Sequence, residues 1–97
     1  MLKDNDPKDL YETLLLLENR EEAYNFLKDL CTPQEIIALN ERWRVCQLLD
    51  AGKLSYREIH AATGASITTV GRVARFLKDE PYKGYRAMLD KIRKVRA

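Results

Sequence analysis

An all-α subunit of six helices is what this sequence predicts, on three observations. Two capping boxes, Thr32-Pro33-Gln34-Glu35 and Ser55-Tyr56-Arg57-Glu58, open runs whose apolar residues recur every three to four positions. Only four glycines and three prolines occur in 97 residues, and no stretch shows the strict alternation of a half-buried strand. Hydrophobic residues at 45% and charged residues at 33% exclude a disordered polyelectrolyte, and the length fits one small domain, residues 1–97.

The helices follow in order. Asp6 before Pro7 marks the first start, because the carboxylate accepts from an orphan amide and proline has none to lose at the first helical position. This helix is expected to run to about Arg20. Its Leu10, Tyr11, Leu14, Leu15, Leu16 and Leu17 spread beyond the usual 100° stripe, which predicts burial against a second chain, with single exposed leucines as the alternative. A second helix, about Glu21 to Leu30, gathers Ala23, Phe26, Leu27 and Leu30 on one face. The third, opened by Thr32, is expected to be the longest and to reach about Ala51, where Gly52 can take the left-handed conformation that ends a helix. Ser55 caps a fourth that stops at Gly64. Ser66 caps a fifth, Ile67 to about Lys78, with Val70, Val73, Ala74 and Leu77 inward. Asp79-Glu80-Pro81 breaks it, and a sixth, about Tyr82 to Val95, carries Tyr85, Met88, Leu89 and Ile92.

Charge divides the chain. Residues 1–41 hold four basic and ten acidic side chains, a net of −6, whereas residues 42–97 hold thirteen and five, a net of +8. A basic segment is the footprint of a polyanion-binding surface, since each phosphate contact releases condensed counterions; a solvated basic face is the plainer reading. Within it, Leu54 to Leu77 predicts a helix-turn-helix. Gly64 permits the tight turn, and Val70, six residues on, locks the second helix against the first at Ile59 and Thr63. The exposed positions are then Ser66, Thr68, Thr69, Gly71, Arg72 and Arg75, with Arg57 and His60 on the preceding helix and Lys53 and Ser55 at its start. Small polar residues at the tip of the second helix suit close approach to base edges.

The run Leu30-Cys31-Thr32-Pro33-Gln34-Glu35, then Ala38-Leu39, Arg42, Arg44, Gly52, Ser55, Arg57-Glu58, Gly64-Ala65, Ile67, Thr69 and Arg72, resembles the Trp repressor family, and within it the YerC/YecD-type proteins. The resemblance implies an intertwined homodimer of six-helix subunits that regulates transcription by binding a palindromic operator in double-stranded DNA. It implies guanine reading by Arg57, and a recognition tip at Ile67, Thr68 and Gly71 with His60 beside it. It implies an effector pocket at Thr32, Arg42 and Arg72, where the family holds L-tryptophan between the two arginines. Val73 and Phe76 stand where the family has glycine and serine, and their bulk occupies the indole's volume. No cofactor is therefore expected, with L-tryptophan or another small effector as the alternative.

Residues 1–51 are expected to dimerise, 54–78 to form the helix-turn-helix and 81–97 the C-terminal helix. The other function class is a structural or ligand-sensing dimer whose helix-turn-helix makes protein contacts. An enzyme is not expected: one histidine, no Gly-rich phosphate loop and no Ser/His/Asp set offer no catalytic residues. Cys31 and Cys46 lack partners for a metal set and are expected as reduced thiols. The longest apolar run, Leu14 to Leu17, is far short of the roughly 18 residues of a membrane span, and Asp4, Asp6 and Asp9 stand where a signal peptide is basic. A cytoplasmic bacterial protein, associated with the nucleoid through DNA, is expected.

Overall fold

A computed structural model describes residues 7–96, and all their regular structure is helical: α1 (Leu10–Leu14), α2 (Arg20–Leu30), α3 (Pro33–Ala51), α4 (Tyr56–Thr63), α5 (Ile67–Lys78) and α6 (Gly84–Arg96). The chain forms two compact units, one up to Ile36 and one from Ile37 onward.

In the first unit, α1 is shorter than the sequence predicts. Asp9 is its cap, accepting from the Glu12 amide at 2.8 Å, and the helix stops after Leu14 instead of running from Pro7 to Arg20. The expected cap, Asp6, lies outside the described residues. The early stop has a local cause. Asn19 lies extended at φ −155° so that its side chain can accept from the Glu22 amide, and the Glu22 carboxylate accepts from the Glu18 amide in return. That capping arrangement starts α2 and forbids a continuous helix through residue 19. Thr32 and Glu35 form the expected capping box at the start of α3, with N···O distances of 2.8 and 3.2 Å. These hydrogen bonds hold the Glu35 carboxyl below its ordinary value. No described residue of this unit is buried; Leu15 is 86% exposed and Leu16 70%.

The second unit has the core. Val45 and Cys46 of α3, Ile59 of α4, Ala65 of the turn, Val70, Val73 and Leu77 of α5 and Leu89 of α6 pack together, with Trp43, Leu48, Leu49 and Tyr85 at the rim. Each fully buried aliphatic side chain contributes about 1.5–3 kcal/mol, and α5 supplies the most such residues. α3 is the longest helix, with 19 residues, and Gly52 follows it at φ +71° as expected. α6 begins at Gly84, two residues later than the sequence predicts. Pro81 and Tyr82 form a turn, and Lys83 takes a left-handed φ of 61°, so the backbone turns helical only after it. Asp50 fastens α6 to the end of α3, with one carboxylate oxygen 2.7 Å from Arg86 and the other bonded to Arg93.

Candidate nucleic-acid interface

The geometry of α4, the turn and α5 follows from local chemistry. Ser55 and Glu58 exchange side-chain and backbone hydrogen bonds at 2.9 and 3.2 Å, a capping box that starts α4 and lowers the Glu58 pKa. Gly64 ends the helix at φ +80°, a conformation that costs any side chain with a Cβ. The turn is then fixed from α4. The Thr63 hydroxyl donates to the Ile59 carbonyl at 2.8 Å and accepts from the Ala65 amide at 3.1 Å. His60 Nδ1 lies 2.6 Å from the Ala65 carbonyl oxygen. Ser66 caps α5 by accepting from the Thr69 amide at 3.0 Å. Ile59 and Val70 are both 0% exposed, so the lock between the two helices is complete.

Outside that lock, Arg57, His60, Ser66, Ile67 and Thr68 are exposed and Thr69 and Gly71 half-buried; Arg57 stands in the first turn of α4, while His60 is bonded to the turn that leads into Ser66, Ile67 and Thr68. Lys53 and Ser55 are exposed before α4. Arg57 forms no ion pair among the described residues. Arg72 and Arg75 are exposed too, but both guanidinium groups lie over the ring of Phe76, at 4.5 and 5.2 Å from its centroid, and Arg75 reaches Glu80 at 3.4 Å.

A groove between α3, α5 and α6 holds two residues of the expected effector pocket, and its apolar and aromatic walls are the part that sequence reasoning missed. Its volume is about 1010 Å³, and its walls include Leu39, Arg42, Trp43, Arg72, Val73, Phe76, Tyr85, Met88 and Ile92. Phe76 stacks on Tyr82 with centroids 6.3 Å apart, and Trp43 on Tyr85 at 6.1 Å. Burial raises the Tyr85 hydroxyl above its ordinary pKa. The signal was present in Leu39 and Trp43 at i, i+4, and in Tyr85, Met88, Ile92 and Val95 at helical spacing. Arg42 and Arg72 of the expected effector pocket both line this groove, while Thr32 belongs to the first unit and serves there as the cap of α3. Among the described residues there is no group of three or more His, Cys, Asp or Glu that could hold a metal ion, and no helix is long and apolar enough to cross a membrane.

Comparison with known proteins agrees with this architecture. Residues 6–93 match the family described as Trp repressor protein. The chain is 36% identical over 94 residues to the uncharacterized protein YerC of Bacillus subtilis (strain 168), a match that covers 97% of this chain and 88% of that protein. Among solved structures, a candidate Trp repressor from Staphylococcus aureus superposes with a TM-score of 0.80 at 38% identity, over 87% of this chain and 82% of its own. A TrpR-like protein from Eubacterium eligens gives a TM-score of 0.80 at 35% identity, over 86% and 84%.

Proposed function

The chain belongs to the Trp repressor family, and from that premise we propose that it is a homodimeric transcriptional regulator that reads a palindromic operator in double-stranded DNA. The observation that carries this reading is the division of α5. One face, Val70, Val73, Ala74 and Leu77, is core, while the N-terminal tip at Ser66, Ile67 and Thr68 is exposed, with His60 bonded to the turn before it and Arg57 exposed in the first turn of α4. A helix held from behind with an exposed, mostly polar tip is what entry into a major groove requires. Arg57 pairs with guanine O6 and N7, and Ser66, Ile67, Thr68, Thr69 and Gly71 approach the neighbouring bases. Arg72 and Arg75, from their places over Phe76, add positive charge to the flank of that surface.

Residues 1–51 dimerise, 54–78 read DNA and 81–97 complete the subunit. Support for a second chain comes from the uncovered Leu15 and Leu16 and from the open apolar groove of the second unit. The operator places the protein with the chromosome in the cytoplasm. Binding does not depend on L-tryptophan, because Arg72 already lies over Phe76 and Val73 is part of the core.

Selection of bound fragments from random double-stranded DNA, followed by titration of the enriched sequence with and without L-tryptophan at fixed salt, tests both statements. The expected result is an enriched palindrome bound equally in the two conditions. Enrichment only with tryptophan overturns the effector-free reading and assigns the amino acid to the groove at Arg42 and Arg72. No enriched sequence in either condition overturns operator reading and moves the function to protein contacts made by the helix-turn-helix.

A further inference from the structure

The bond between His60 and the turn decides which nitrogen of its ring is available to a ligand. The Ala65 carbonyl, 2.6 Å from Nδ1, can only accept, so Nδ1 carries a hydrogen. A neutral imidazole has one N–H, which leaves Nε2 as a bare acceptor. His60 is exposed, and Nε2 has no partner among the described residues. It stands one helical turn after Arg57, on the same face and next to the start of α5.

A phosphate oxygen has no hydrogen to give to such a nitrogen. The groups in the major groove that do are the exocyclic amines, N4 of cytosine and N6 of adenine. We propose that His60 is a specificity-determining residue which accepts, at Nε2, the groove-facing amino hydrogen of one cytosine or adenine in each half-site, with the Ala65 carbonyl as the group that sets its tautomer. The inference rests on the operator reading above and adds the base class that this position recognises. Thr63 and His60 together satisfy both backbone groups of Ala65, so the ring is held by the same turn that aims α5.

The test uses the full-length protein at about pH 8 and fixed salt. The enriched operator is synthesised with N4-methylcytosine or N6-methyladenine at each position in turn, a change that keeps the Watson–Crick hydrogen and replaces the one in the groove. The wild-type protein is expected to lose about tenfold in affinity at one symmetric position. His60→Asn places an amide N–H near Nδ1 and has nothing at Nε2, so it is expected to lose preference at that position and to be indifferent to the methyl group there. If no methylated position weakens the wild-type protein, the inference is overturned whatever the variant does. It is also overturned if His60→Asn selects the wild-type sequence and keeps the wild-type response to methylation. A wild-type protein that enriches no sequence sinks the operator reading and this inference together, whereas the two results above sink the inference alone.

Discussion

Arg86 Nη2 lies 2.7 Å from Asp50 Oδ1, and this contact ties the first turn of α6 to the last turn of α3 across 36 residues of sequence. Arg93 takes the other oxygen of the same carboxylate. Asp50 is only 14% exposed at its side chain, so water replaces these partners poorly. Asp50→Ala is expected to destabilise the fold by about 1–2 kcal/mol, or roughly 4–16 °C in melting temperature for a domain of this size. Thermal melts followed by circular dichroism check this; an unchanged melting temperature rejects it.

The same pair gives the protein an acid sensitivity of known sign. The Arg86 hydrogen bond, with the nearby charges, holds Asp50 below the ordinary aspartate value. A carboxylate whose folded pKa is depressed contributes its stability above the unfolded pKa, and that contribution fades as pH falls below about 4. Melting temperature is expected to drop between about pH 5 and 2 in the wild-type protein and less steeply in Asp50→Asn. Glu35 and Glu58, lowered by their capping boxes, leave the variant some residual slope of the same sign. Parallel curves for the two proteins would contradict the assignment.

Leu15 and Leu16 form the most exposed leucine pair of the described chain. Covering them against a partner is worth about 1.5–3 kcal/mol per side chain, and a charge there forfeits that gain. Leu16→Arg is expected to convert the proposed dimer to monomer or to unfold it, as read by sedimentation equilibrium of both proteins alongside circular dichroism. A folded dimer of wild-type stability shows that a different surface joins the chains.

Arg57→Ala is expected to lower affinity for the selected operator by about 1–3 kcal/mol and to relax preference at one symmetric position. Competition with single-base variants measures it. A loss that is uniform across sequences, with a salt dependence reduced by about one contact per subunit, would mean that Arg57 touches a phosphate instead.

The parts of this fold that could be read from the sequence are those with local causes. Ser55 with Glu58, Thr32 with Glu35 and Ser66 with Thr69 are each closed within three residues, so their helix starts are written in short stretches of sequence. Gly52 and Gly64 announce their turns because left-handed backbone needs glycine most. The end of α1 was harder, since four consecutive leucines fit any register and the decision lies with Asn19 two residues beyond them. Nothing local announces that Arg86 and Arg93 converge on Asp50, or that Arg72 and Arg75 settle over Phe76, because packing of separate helices decides the first and rotamer choice the second. At the candidate interface the sequence located the helix-turn-helix, while the link from His60 to Ala65, and with it the chemistry of the free nitrogen, needed coordinates.

Cys46 sits in the core of the second unit at 0% exposure, and burial raises its thiol pKa to about 11. Only a thiolate reacts quickly with alkylating reagents. The folded protein therefore shields this sulfur twice, by access and by protonation, whereas Cys31 of the first unit is only half-buried. The chain thus carries a thiol probe in each unit: slow alkylation at Cys46 clocks the opening of the core behind α5, and the rate at Cys31 reports the state of the leucine-bearing unit.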